Sequence, residues 1–125
     1  MASFRYAVRK YLRFSKEFLK SKGKFTPEQY EALLALKTFS TGDGLTVRQL
    51  SERVQVKHHT AVSLTDKLAA RRLVTKRRGH ADRRHVYVKL TGTGERLVAK
   101  FAAAHRQELR SRATEMIRLL GKLKE

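Results

Sequence analysis

Apolar side chains recur every three or four residues in five stretches of the chain, which is the spacing of one face of an α-helix. The pattern predicts helices at 3–21, 27–39, 46–53, 57–71 and 92–123. Two of these helices begin with a capping box, in which a threonine and a glutamine three residues later bind each other's backbone N–H groups. The two boxes are Thr26 with Gln29 and Thr46 with Gln49.

Between the last two predicted helices the pattern changes to alternation of apolar and polar residues, which is typical of a β-strand. Residues 84–90 alternate in this way, and residues 73–78 form a second predicted strand. The turn at 79–83 joins them, so the segment predicts a β-hairpin. The predicted fold class is therefore mainly α with a small β-hairpin (α+β), in a single domain of 125 residues.

The last predicted helix carries a longer apolar stripe than the rest of the chain can cover. The stripe runs from Leu97 to Leu123 and includes His105. The preceding segments use their own apolar residues in a core. We therefore expect a second copy of the chain to cover this helix.

Positive charge is in large excess, with 29 Lys and Arg residues against 11 Asp and Glu residues, a net charge of +18. Residues 1–24 have a net charge of +7 and residues 53–90 of +9, whereas residues 25–52 have a net charge of −2. Such a balance favours a polyanionic partner, with nucleic acid as the first candidate and an anionic membrane surface as the second.

Cysteine is absent from the sequence, which excludes disulfides, thiol catalysis and cysteine-based zinc sites. No apolar run approaches the length of a membrane span, and the basic first 24 residues lack the apolar centre of a secretory signal. We expect no membrane partner and a cytoplasmic, nucleoid-associated protein.

Two short capped helices followed by a basic hairpin is the order of elements in a winged helix-turn-helix. The second helix of such a pair can enter the DNA major groove, which is about 12 Å wide. Arginine at the tip of the hairpin, or wing, suits the negative potential of the minor groove. The order thus predicts recognition helix 57–71 in the major groove and wing 76–85 at the minor groove.

Several stretches of the chain resemble the sequence motifs of one known family, and together they extend over about residues 4–110. The chain resembles the MarR family of winged helix-turn-helix transcription regulators, and the paired histidines with Phe4, Arg5 and Tyr6 resemble a short subgroup of it. The matching stretches are Thr26–Tyr30, Leu45–Arg53, His58–Leu68 with Arg72–Val74, Asp82–Arg84, Val86–Val88 and Leu90–Gly94.

The resemblance implies a homodimeric, sequence-specific regulator of double-stranded DNA, most simply a repressor, that binds a pseudo-palindrome. It implies dimerisation helices at 1–24 and 92–125 and a DNA-binding head at 25–91. It also implies a small aromatic effector, with no other cofactor. After Leu109 the chain is shorter than most of the family, so the dimerisation part is expected to be small.

The recognition helix supplies the candidates for reading base edges. Imidazole groups near the start of such a helix can donate to or accept from a base edge, and a valine can contact a thymine methyl group. The candidates are His58, His59, Val62, Ser63 and Lys67.

A second group of residues is expected to contact phosphates or the minor groove. The resemblance implies that Asp82 orients the arginines and that Arg84 enters or borders the minor groove, and the remaining cations suit phosphate oxygens. The full group is Arg48, Thr60, Lys76, Arg77, Arg78, Asp82, Arg83 and Arg84.

We expect neither a metal site nor catalysis. The adjacent His58 and His59 point about 100° apart around a helix and cannot converge on one ion, and no pair of histidines has the spacing of a helical zinc site. Ser63 and the nearby histidines share a helix, which does not aim a base at a nucleophile. His105 is instead expected to be a core or interface residue.

Two further functions remain open at this point. The net charge of +18 also suits an architectural protein that coats DNA with little sequence preference. The basic face of residues 5–20 could lie on an anionic membrane or RNA, guide DNA, or pack within a dimer.

Overall fold

The computed structural model describes residues 1–124, so Glu125, the last residue of the predicted segment 92–125, lies outside the described residues. Two compact units are formed, one by residues 28–99 and one by residues 1–27 with the described residues from Lys100 onward. The elements in chain order are α1 Ala2–Gly23, α2 Pro27–Phe39, β1 Leu45–Thr46, α3 Val47–Val54, α4 His58–Ala70, β2 Val74–Arg78, β3 Val86–Leu90 and α5 Gly92–Lys122.

The sheet of the unit at 28–99 has three antiparallel strands in the order β1-β3-β2, one more than the predicted hairpin. The two-residue strand β1 pairs Leu45 with Val88 across the sheet, and so short a strand leaves no alternating pattern in the sequence. The predicted strand 84–90 was too long, because β3 begins at Val86. The backbone N–H of Arg84 donates instead to the Asp82 carboxylate at 2.9 Å.

Local capping explains where the helices of this unit begin. The capping box predicted for α3 is confirmed: the Gln49 N–H donates to Thr46 Oγ1 at 3.1 Å, and the Thr46 N–H donates to Gln49 Oε1 at 2.9 Å. The recognition helix α4 has no such cap, since Lys57 makes no side-chain capping bond. It covers 58–70 rather than the predicted 57–71, because both end residues are caps.

The core of this unit is built from one face of each helix and one face of the sheet. The inner face of α4 consists of Ala61, Leu64, Thr65 and Leu68, which are all buried. Burying one such aliphatic side chain stabilises the fold by about 1.5–3 kcal/mol. The fully buried side chains of this core include Leu33, Leu36, Leu50, Leu68, Val88 and Val98.

The other unit is held together by aromatic rings of α1 and α5 around His105. The ring of His105 lies edge-on to Phe14 and Phe18, with centroids 5.8 and 5.3 Å away. Ser15 Oγ lies 2.8 Å from His105 Nε2, and His105 Nδ1 lies 2.7 Å from the Phe101 carbonyl oxygen. The expectation of a core or interface histidine is confirmed, because only 4% of His105 is exposed.

The apolar stripe predicted for the last helix is only partly buried. Val98, Phe101 and His105 are buried, whereas four of its apolar residues remain exposed: Leu109, Ile117, Leu120 and Leu123. Tyr6 and Leu12 of α1 are exposed as well. Among the described residues, no helix is long and apolar enough to cross a membrane.

Candidate nucleic-acid interface

The outer face of α4 carries all five predicted base-reading residues. A helix turns 100° per residue, so these residues fall within an arc of about 180°, opposite the buried face. His58, His59, Ser63 and Lys67 are exposed, and Val62 is half-buried. Thr60, predicted to contact phosphate, is half-buried at the edge of this arc.

Asp66, which was not among the predicted site residues, also lies on the outer face of α4. Its helical angle is between those of Val62 and His59, and 58% of its side chain is exposed. The Lys76 ammonium group of β2 forms an ion pair with it. A carboxylate in this position can accept a hydrogen bond from cytosine N4. Asp66 is thus a site residue that the sequence analysis missed, although its spacing could have identified it.

The wing is a tight turn in which backbone atoms approach closely. The Gly79 N–H donates to the His85 carbonyl at 2.9 Å, and the His85 N–H donates to the Asp82 carbonyl at 3.1 Å. A Cβ atom at Gly79 would lie 2.7 Å from the Asp82 carbonyl oxygen. Glycine therefore permits the turn that presents the tip arginines.

Asp82 holds the guanidinium group of Arg84 by two hydrogen bonds. Arg84 Nε and Nη2 donate to the two carboxylate oxygens of Asp82 at 3.1 and 3.0 Å. These bonds and the donation from the Arg84 backbone N–H lower the pKa of Asp82, and the same carboxylate raises the pKa of Arg84. The Arg84 side chain is 90% exposed, so the other edge of its guanidinium group can contact a nucleic acid.

The cations at the base of the wing already have protein partners. Arg77 Nη2 donates to Asp43 Oδ1 at 2.6 Å, and Arg78 Nη1 donates to the Arg83 carbonyl oxygen at 3.1 Å. Together with the Lys76 ion pair, these contacts brace β2 against α4 and against the loop before β1. The Arg83 side chain is exposed and forms no ion pair within residues 1–124.

A shallow cleft of about 140 Å³ brings residues of the recognition helix and the wing together. Five predicted site residues line it: Arg48, His58, Val62, Lys76 and Arg84. The remaining eight lie outside the cleft lining: His59, Thr60, Ser63, Lys67, Arg77, Arg78, Asp82 and Arg83. His85 lines it as well and was not among the predicted DNA-binding residues, although its position in the wing sequence could have suggested it.

The chemistry of this surface is that of a binding site for an anion. Two imidazoles and several guanidinium and ammonium groups face solvent here, and these groups donate hydrogen bonds to phosphate oxygens and base acceptors. Within residues 1–124, no group of three His, Asp or Glu side chains is placed to hold a metal ion.

Comparisons with known proteins agree with this geometry. A protein-family model described as the MarR family matches residues 24–85, and a search of curated proteins found no match. The crystal structure of MepR, a transcription regulator of the Staphylococcus aureus multidrug efflux pump MepA, matches with a TM-score of 0.81 and 21% identity, over 97% of this chain and 90% of that one.

Two further solved structures have the same fold. AbsC, a MarR-family transcriptional regulator from Streptomyces coelicolor, matches with a TM-score of 0.78 and 22% identity, over 89% of this chain and 74% of that one. The S. aureus MepR–DNA complex matches with a TM-score of 0.74 and 24% identity, over 96% and 92%. The family match covers α2, β1, α3, α4 and β2 with the wing up to His85, and the structural matches extend over nearly the whole chain. The chain belongs to the MarR family of winged helix-turn-helix proteins.

Proposed function

We propose that the protein is a sequence-specific regulator of transcription that binds double-stranded DNA and is not an enzyme. The single observation that carries this proposal is the cleft in which His58 and Val62 of α4 meet Arg84 of the wing. Duplex DNA suits this arrangement, because it presents base edges in a groove beside a phosphate backbone. The matching MepR structure with DNA bound supports the same use of the fold.

The proposal assigns distinct roles to the two parts of the head. The outer face of α4 enters the major groove, where His58, His59 and Ser63 read base edges and Lys67 contacts a base or phosphate. Asp82 keeps the Arg84 guanidinium group pointing outward, and Arg84 enters or borders the minor groove. Thr60, Arg48 and the wing cations contact phosphates, which adds affinity without sequence preference.

We further propose a homodimer that acts as a repressor at a pseudo-palindromic site in the cytoplasm, associated with the nucleoid. The exposed apolar residues Leu109, Ile117 and Leu120 support the dimer, because apolar patches on monomers mark interaction surfaces. The segments 1–24 and 92–125 would form the interface. A small aromatic effector is proposed from the family resemblance alone.

The test is selection of random and genomic DNA fragments by the purified protein at about 0.15 M salt with excess competitor DNA. We expect enrichment of one inverted repeat whose half-sites lie about one helical turn apart. Binding without any enriched sequence would refute the proposed reading of bases by α4.

The net charge of +18 favours a second candidate, an architectural protein that covers DNA with little sequence preference. Its signature would be a ratio of specific to random-sequence affinity near one, together with a steep dependence of affinity on salt. The same protein preparation distinguishes the two functions when an enriched and a scrambled duplex are titrated side by side.

A further inference from the structure

The first helix carries a line of five cations, which we call the α1 ridge. Their spacings of four, four, three and four residues place them within an arc of about 80°. At 1.5 Å per residue the line is about 22 Å long. The α1 ridge consists of Arg5, Arg9, Arg13, Lys16 and Lys20.

These cations are exposed and have no protein counter-charge. All five are exposed, and within residues 1–124 none of them forms an ion pair. Glu17 lies on the flank of the ridge without pairing with any of its members. Lys10, which lies 5.4 Å from the centre of the Tyr6 ring, is outside the ridge.

The arrangement is electrostatically unfavourable for the isolated helix. Like charges four residues apart repel each other on a helix surface, as at Arg5 with Arg9, Arg9 with Arg13, and Lys16 with Lys20. The first turn contains no acidic residue to offset the positive end of the helix dipole. A polyanion laid along the ridge would remove this repulsion, because its charges would neutralise all five cations.

The opposite face of α1 is already used by the protein, which separates nucleic acid from membrane as the partner. A helix that lies on a membrane must insert its apolar face between the lipids. In α1 that face packs on α5: Leu19 is fully buried, and Phe18 lies 5.4 Å from Phe101 between ring centroids. Most of the remaining surface of α1 is the cationic ridge, with Tyr6 and Leu12 exposed at its edges, and the ridge suits a dense line of phosphates.

We propose that the α1 ridge is a second DNA-binding surface, which binds the phosphate backbone without reading sequence and acts in addition to the winged head. Duplex DNA carries one negative charge per 1.7 Å of its axis, so about 22 Å of duplex offers about 13 phosphates, more than enough to pair with all five ridge cations. Three of the five are arginines, whose guanidinium groups bind phosphate in a bidentate manner. The choice of duplex DNA as the polyanion rests on the proposed function of the head.

The test measures how the affinity for a random-sequence duplex depends on salt. The variant Arg9→Gln/Arg13→Gln/Lys16→Gln removes three ridge charges. If each contacts one phosphate, the slope of log K against log salt becomes shallower by about 2.7. The preference for any enriched sequence should stay the same, and the Tm should not fall, because like-charge repulsion has been removed.

A matched control removes the same charge elsewhere. The variant Lys100→Gln/Arg110→Gln/Lys122→Gln neutralises three exposed cations that lie far apart along α5, 10 and 12 residues from one another. Its slope should change by less than one. An equal loss of slope in both variants would overturn the proposal, since net charge alone would then explain the binding.

Two further measurements keep the alternatives apart. In flotation with vesicles of phosphatidylcholine and phosphatidylglycerol in equal parts, the protein should stay unbound. If the natural protein floats with the vesicles and the ridge variant does not, the ridge is a membrane-binding surface instead. The head variant Arg84→Ala is titrated on the same duplex. If the winged head does not read DNA sequence, no sequence is enriched, but the ridge variant still has a shallower salt slope. If the α1 ridge does not bind DNA, the ridge variant has the same salt slope as the control variant.

Discussion

The buried hydrogen bond between Ser15 and His105 gives the sharpest prediction about stability. The Phe101 carbonyl can only accept, so His105 Nδ1 carries a proton and donates to it across 2.7 Å. In the neutral ring Nε2 is then an acceptor, and the Ser15 hydroxyl donates to it across 2.8 Å. The substitution Ser15→Ala would leave Nε2 without this donor inside a ring of aromatic side chains.

The size of the effect follows from burial. Only 8% of Ser15 and 4% of His105 are exposed, and a buried polar group that loses its partner costs about 1–3 kcal/mol. The expected result is a free energy of unfolding lower by that amount. For a chain of this length each kcal/mol lowers the Tm by about 3–6 °C.

Urea denaturation followed by far-UV circular dichroism measures this loss, with all proteins at the same protomer concentration because dimerisation adds to apparent stability. The matched control is Ser21→Ala on the same helix. Its hydroxyl donates to the Phe18 carbonyl at 2.9 Å, but the bond is exposed. This control should change stability by no more than about 0.5 kcal/mol.

A double-mutant cycle isolates the pair. With His105→Phe in place, the Ser15 hydroxyl itself lacks this partner, so Ser15→Ala should cost far less than it does in the natural chain. The expected coupling energy is about 0.5–3 kcal/mol. The reasoning is refuted if Ser15→Ala costs no more than Ser21→Ala, or if the two core substitutions are additive.

Three further predictions concern the head. Arg84→Ala and His59→Ala should both weaken operator binding in a fluorescence titration. Only His59→Ala should also relax the base preference, by about 1–3 kcal/mol at one position. If both variants keep full affinity, the assignment of α4 and the wing as the DNA-binding surface is wrong. The variant His58→Gln/His59→Gln should weaken operator binding, because both imidazoles are exposed on the outer face of α4 and can bond to base edges; unchanged affinity would exclude both residues from the interface. Asp82→Asn should weaken binding by the same factor at about pH 6 and pH 8, because Arg84 lowers the Asp82 pKa and the carboxylate stays ionised until the pH falls below the ordinary aspartate range; carboxyl NMR showing Asp82 titrating at or above that range would contradict the observed pairing.

Most of the head was predictable because its signals are local. The α3 capping box lies within four residues, and the inner face of α4 follows from helical spacing alone, with Leu64 and Leu68 buried as expected. The wing hairpin follows from alternation and a short turn. Such patterns involve residues that are close in the sequence, so they can be recognised without knowledge of the rest of the fold.

Contacts between segments that are distant in the sequence could not be predicted from local patterns. The strand β1 exists because Leu45 pairs with Val88, and two residues carry no period of their own. The cations Lys76 and Arg77 were predicted as phosphate ligands, but Asp66 and Asp43 already pair with them. Binding of either cation to DNA therefore requires that it exchange its carboxylate partner for a phosphate.

Periodicity, caps and charge are properties of the chain, so the helices, the hairpin, the excess of positive charge and the family could be predicted without a structure. Which side chains share a surface depends on the tertiary structure. It placed His58 beside Arg84 in one cleft, put Asp66 on the outer face of α4, and enclosed His105 with Ser15, 90 residues away in the sequence. These contacts depend on packing between segments that are distant in the chain, and no local pattern encodes that packing.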